Sequence, residues 1–264
     1  MKNTIIILLL FVCNCTSAQE LTIPVKFLSN SKAAPERYVG TDAFGYEYTI
    51  SDNEFKKQKD NKVLKYNSLS LGDIYQVDLQ NPLQVVLFYK NFNTVVLLDS
   101  QLTETARINF SDTPQAIIAE AVSLASQNRL WVYDINTRQI GLYDIAQNSY
   151  KTITPQLSGG MQYYQSDYNY FYWVNNTNTC YRVNLFGKVS TLGITEGFDQ
   201  LQFIAPQKVL FKKDNNMYLY NMETQSHKLI EVKEKSFKSF YYKEQILSIF
   251  TDNDIIQYKI TSTE

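Results

Sequence analysis

Few residues in this 264-residue chain are of the types that do chemistry, and their spacing is unpromising for catalysis. His227 is the single histidine. A Ser-His-Asp arrangement needs its histidine held by a carboxylate against a nucleophile; His227 lies in the polar stretch ETQSHK, which reads as surface. Zinc sites of the usual kind require several Cys or His ligands in close spacing, and apart from Cys13 and Cys15 near the N-terminus only Cys180 is available. Cys180 falls in TCYRVNL, where a small half-buried apolar residue is expected rather than a reactive thiol. Hard oxygen ligands for calcium are offered by SDN at 51–53, DNN at 214–216 and DND at 252–254. None follows the D-x-D-x-D-G loop, and hairpin turns account for them. NNT at 175–177 and NFS at 109–111 match the glycosylation pattern. The Gly159-Gly160 pair lacks the strand-to-helix setting of a phosphate cradle, and reads as an inter-unit loop. The aromatic block QYYQSDYNYFYWV at 162–174 could supply wide, rigid contact surface for a ligand, or equally pack a core. No cofactor is implied.

What positions these residues begins with the N-terminus. MKNTIIILLLFVCNCTSAQE has Lys2 as a positive n-region, Ile5 to Val12 as an apolar h-region and Thr16-Ser17-Ala18 as a small-residue cleavage site, the pattern of a secretory signal peptide. Residues 1–18 are therefore read as the signal and 19–264 as one domain, periplasmic or secreted. Val12 before Cys13 and Asn14 before Cys15 fit poorly the small residue that a lipidated Cys needs. The apolar run is far short of the roughly 20 residues that span a bilayer, and no later stretch approaches that length. Twenty-five Lys and Arg against 26 Asp and Glu, with no basic block, argue against a nucleic-acid or anionic-membrane partner. EFKKQKDNK at 54–62 reads as a solvated edge hairpin. Twenty Tyr and 15 Phe beside 9 Gly suit pleated, half-buried surfaces and not a disordered chain.

The elements repeat. Apolar centre strands fall at Tyr48, Leu87, Trp131, Tyr172, Leu210 and Ser248, a period of about 40 residues. Each has a preceding strand, at 37–42, 73–79, 116–124, 161–165, 198–204 and 236–242. Turns rich in Pro, Gln, Asn or Gly separate the two, because those residues end strands through fixed or positive φ and through side-chain bonds to the backbone. An Asn- or Asp-rich turn follows each centre strand, then a third apolar strand and a weaker, more polar fourth. Four antiparallel strands at this period are the mark of a β-propeller blade. The chain is read as an all-β propeller of six four-stranded blades. A jelly roll or β-sandwich also uses many short strands but demands no such period. The sixth unit ends without a fourth strand, and LTIPVKF at 21–27 is unassigned, so the N-terminal strand is expected to close the ring. AIIAEAVSLA is the one stretch whose composition also suits a helical turn.

Units such as RLWVYDINTRQIGLYDI and KVLFKKDNNMYLYNM resemble those of secreted propellers of the quinoprotein-like, NHL-like and six-bladed Gram-negative envelope kinds. The resemblance implies a fold; no repeated tryptophan docking motif and no WD dipeptide carries a family residue across. Two functions remain in view. One is a non-catalytic, monomeric platform for an envelope protein partner. The other is a ligand-binding protein or enzyme using the central channel, where the inner strands and their flanks contribute Arg37, Asp42, Asp73, Asp78, Glu120, Asp199 and Lys238, a scattered set. For the platform, turns between second and third strands should share one rim, carrying Phe92, Arg138, Asn176, Asn215 and Asn253. Phe92 and Arg138 exceed what a turn requires and are the kinds of side chain that anchor interfaces; the competing account has Phe92 fold back onto its own blade.

Overall fold

VVLFY at 85–89 is apolar at every position, and all five residues are buried. Side chains alternate across a strand, so a strand with two buried faces must lie between two other layers. Val85, Leu87 and Tyr89 pack with Tyr48 and Phe55 on one side, while Val86 and Phe88 pack with Val122, Leu124 and Leu130 on the other. The same sandwiching recurs around a ring, and each apolar cluster fills the gap between two successive sheets.

The computed structural model describes residues 22–32 and 37–260. The assigned signal segment therefore lies outside the described residues. Blade 1 comprises Arg37–Thr41, Glu47–Ser51, Glu54–Lys59 and Lys62–Tyr66; blade 2, Gln76–Asp78, Val85–Tyr89, Thr94–Leu98 and Glu104–Asn109; blade 3, Ala119–Ala125, Arg129–Asp134, Gln139–Asp144 and Ser149–Thr152. Blade 4 comprises Met161–Ser166, Tyr170–Asn175, Thr179–Asn184 and Val189–Ile194; blade 5, Gln200–Ala205, Lys208–Lys213, Asn216–Asn221 and Ser226–Ile230; blade 6, Ser239–Lys243, Ile246–Phe250 and Asp254–Ile260, completed by the N-terminal Val25–Lys32. The fold is a six-bladed, all-β propeller. Among the described residues no helix is long and apolar enough to cross a membrane.

Ring closure differs in detail from the expected segment at 21–27. Val25–Lys32 pairs antiparallel with Asp254–Ile260, from Val25 opposite Ile260 to Lys32 opposite Asp254. Thr22 and Ile23 instead pair in parallel with Leu229 and Ile230 on the outer strand of blade 5. Pro24, which has no N–H to give a ladder, separates the two pairings. The strand thus ties blade 5 to blade 6, with Ile23 buried and most of 25–32 exposed.

AIIAEAVSLA, expected to hold an inner strand at 116–124, forms one at Ala119–Ala125, burial on both faces outweighing a helix propensity of tenths of a kcal/mol. Two further expectations are corrected. EFKKQKDNK is not simply a solvated hairpin: Phe55 and Lys57 are buried, and Lys57 Nζ donates to Ser100 O at 2.9 Å and lies 4.5 Å from the Tyr46 ring centroid. The inner strand of blade 2 is only Gln76–Asp78, not 73–79; at its C-terminal end Asp78 turns its carboxylate onto Gln80 N (2.8 Å) and starts the bend.

The turns follow side-chain chemistry. Asp52, Asn53, Asp214 and Asn215 have φ of 52°, 58°, 49° and 63°, the left-handed pairs that two-residue hairpins of type I′ require. Asp42, Asp99, Asp167, Asn175 and Asn184 each accept two backbone N–H groups two to four residues on, satisfying donors that a turn leaves open.

Candidate functional site

The six inner strands surround a cavity of about 540 Å³, lined among others by Gln76, Asp78, Gln80, Ser123, Tyr164, Ser166, Tyr241 and Lys243. Inner strands of neighbouring blades lie side by side without forming a ladder, so their inward backbone groups need other partners. Glutamines supply them. Gln165 of blade 4 accepts from Phe203 N and donates to Phe203 O of blade 5, both at 2.9 Å. Gln200 grips Phe240 of blade 6 in the same way, at 3.0 and 2.9 Å, and Gln202 grips Tyr242, at 2.8 and 2.6 Å. Between blades 6 and 1 the contact is steric: a Cβ on Gly40 would meet Tyr241 Cζ at 2.9 Å, so only glycine admits the ring there.

Asp78 is the blade 2 counterpart. Its Oδ2 accepts from Leu124 N of blade 3 at 2.7 Å and its Oδ1 from Gln80 N. Burial pushes its carboxyl above the ordinary carboxylate range, against the pull of those two backbone donors. The Gln80 amide reaches past blade 3 to blade 4, its nitrogen donating to Ser166 O (3.2 Å) and its oxygen accepting from Tyr168 N (3.0 Å). The Ser123 and Ser166 hydroxyl oxygens are buried and take no hydrogen-bond partner among the described residues.

Of the seven ionisable residues expected on or beside the inner strands, only Asp78 lines the cavity. Arg37 donates to Tyr75 O at 2.9 Å, and its burial lowers the guanidinium pKa. Asp42 takes the Tyr48 hydroxyl at 2.8 Å; Glu120 pairs with Lys90, Asp199 with Lys212 and Lys238 with Asp252; Asp73 is exposed. His227 is in an outer strand, at the surface, with Nδ1 2.9 Å from Glu196 Oε1. Cys180 is fully buried, and burial pushes its thiol up to about 12, which keeps it protonated and inert. The clamping glutamines escaped notice in the sequence, although their recurrence on inner strands one blade apart is a usable signal.

The rim residues Phe92, Arg138, Asn176, Asn215 and Asn253 are all exposed, each in a turn between second and third strands. Several of these turns carry structure. Asn53 donates to Gly72 O at 2.6 Å and Asn93 donates to Ile117 O and accepts from Ala119 N, so each turn pins the loop leading to the next blade. Arg138 offers Nη2 and Nε to the Gln156 side-chain oxygen at 2.6 and 2.9 Å. Phe92 is 48% exposed, its ring resting on Gly72, where a Cβ would come to 3.3 Å.

No protein-family model matches the chain, and no curated protein does. Solved structures do. The Cps50 (Swd1) β-propeller domain of Myceliophteria thermophila superposes with a TM-score of 0.63 at 9% identity, over 90% of this chain and 100% of that one. A streptogramin B lyase gives 0.57 at 10% identity, over 88% and 98%. A catalytically inactive virginiamycin B lyase from Staphylococcus aureus with quinupristin gives 0.55 at 10% identity, over 93% and 97%. The likeness is one of fold. A Swd1 β-propeller domain and two lyases on one architecture carry no residue role to this chain.

Proposed function

We propose that the protein is an exported, non-catalytic propeller that docks a protein partner of the cell envelope on the face bearing the turns between second and third strands. On this reading the mature chain begins at Gln19 and acts as a monomeric platform. The carrying observation is an apolar strip across blades 2 and 3, in which Tyr75, Phe92, Ile118 and Ile135 are between 44% and 51% exposed. Hydrogen bonds hold the loops of this strip in register: Asn93 to Ile117 and Ala119, and Ile135 N to Ile118 O at 3.0 Å. A fixed strip of large apolar side chains costs solubility unless something covers it. Asn176, Asn215 and Asn253 on the other blades are turn residues and contribute shape rather than affinity.

Site-specific photocrosslinking in the producing cell tests the reading. A crosslinker at Phe92 or Ile118 is expected to capture one discrete protein, whereas one at Phe44, equally exposed but in a turn at the opposite end of its blade, captures none. Phe92→Ala should weaken capture with little change in melting temperature. Equal adducts from both faces, or a large fall in stability from Phe92→Ala, would return the strip to a structural role.

A further inference from the structure

The channel holds one carboxylate that its structural task does not explain. Three side chains clamp neighbouring inner strands as amides, and an amide both accepts from the N–H and donates to the C=O of the gripped residue. Asp78 grips Leu124 by accepting alone. It therefore does less of the clamping than a neutral amide, while leaving a carboxylate on the cavity wall. No Lys or Arg among the described residues forms an ion pair with it. Asp78 is half-buried on the cavity wall, so its carboxylate has no ion-pair partner in the protein while staying open to a countercharge from the channel.

The surroundings say what that countercharge would meet. Asp78 shares the cavity wall with Tyr38, Tyr163, Tyr164, Tyr241 and Tyr242. Burial first, and the Asp78 charge in addition, raise the hydroxyl pKa values of Tyr164, Tyr168 and Tyr241, which places tyrosines of blades 4 and 6 within electrostatic reach of a carboxylate on blade 2. Tyrosine faces attract cations through the ring quadrupole. A bare metal ion fits poorly: both Asp78 oxygens already accept a backbone N–H, calcium wants six to eight oxygens, and about 540 Å³ is the scale of a small-molecule pocket.

We propose that the central channel binds a small organic ammonium ligand, with Asp78 as its countercharge and the tyrosine rings of blades 4 and 6 as its walls. This site is separate from the docking strip, and its test is indifferent to any protein partner. Choline chloride serves as the probe, titrated into the full folded chain by calorimetry and thermal melting, with sodium chloride at matched ionic strength and glucose as controls. Choline is expected to raise the melting temperature in a concentration-dependent way, and neither control should. Asp78→Asn should weaken choline affinity by about tenfold or more. Should that variant fail to fold, Lys243→Gln, which removes a positive charge from the same wall, should tighten binding. The proposal is overturned by a wild-type chain indifferent to choline, by an equal response to glucose, by undiminished affinity in folded Asp78→Asn, or by Lys243→Gln binding no more tightly.

Discussion

Gln202 shows how much a single side chain does in this ring. Its amide closes two hydrogen bonds onto Tyr242, joining strands that have no ladder between them. Gln202→Leu keeps the approximate volume and strands both backbone groups of Tyr242 facing the channel. Leaving buried polar groups unpaired costs about 1–3 kcal/mol each, less where channel water reaches them. A loss of about 2 kcal/mol in urea denaturation is expected, against a near-neutral result if the clamp is incidental. Residue types alone did not reveal this arrangement. A glutamine on a strand is unremarkable until the neighbouring strand is known to lie unpaired beside it, and that depends on contacts about 40 residues away in sequence. Asp78 was visible as an inner-strand acid, yet that it alone of the expected acids lines the cavity, with no ion pair of its own among the described residues, became clear only when Glu120 and Asp199 proved to be paired elsewhere.

At the scale of strands and turns, local chemistry decides more. Centre strands such as Arg129–Asp134 and Lys208–Lys213 form around their expected centres, Trp131 and Leu210, because apolar runs between Asx-rich turns have few other ways to fold. Legibility failed where pairing was long-range: nothing local in LTIPVKF told that Thr22 and Ile23 belong to blade 5 and the residues after Pro24 to blade 6. The rim asparagines also differ in ways their identity hides. Asn53 sits at φ 58° and bonds Gly72, whereas Asn253 accepts no such duty and only its backbone N–H engages Thr251 Oγ1, at 3.4 Å. Asn53→Ala should therefore cost about 1–2 kcal/mol, from left-handed strain and the lost loop bond. Asn253→Ala should fall within about 0.5 kcal/mol of wild type. Equal effects in thermal melts would mean that the turns do not pin the inter-blade loops.

Across the whole molecule the six inter-blade seams are unequal. Between blades 1 and 2, twelve buried residues pack together; between blades 6 and 1 the buried set is Tyr38, Phe250 and Ile255, with Tyr241 against it. Apolar burial stabilises at about 25 cal/mol per Å², so the last seam is the one that opens at least cost. Hydrogen exchange is expected to be faster in Arg37–Thr41 and Ser239–Lys243 than in Val85–Tyr89 and Arg129–Asp134. Uniform protection around the ring would show that closure by the N-terminal strand compensates fully for the thin seam. The period of the repeat made six blades legible, since every blade needs an apolar centre strand; the inequality of the seams was not, because it depends on which faces meet.

Val25 stands directly opposite Ile260, so the first described strand of blade 6 to be synthesised waits for the last. Its pairing spans nearly the entire chain, and loop-closure entropy places such contacts late in folding. Because the two strands run antiparallel with adjacent ends, a short hairpin could join Ile260 to Val25, and new termini could be cut between Gly159 and Gly160, both exposed. Such a circular permutant would turn the longest-range pairing in the molecule into its most local one. The clasp that now has to find its partner across the whole ring would form as an ordinary hairpin, and the slow step of folding would move to the seam between blades 3 and 4.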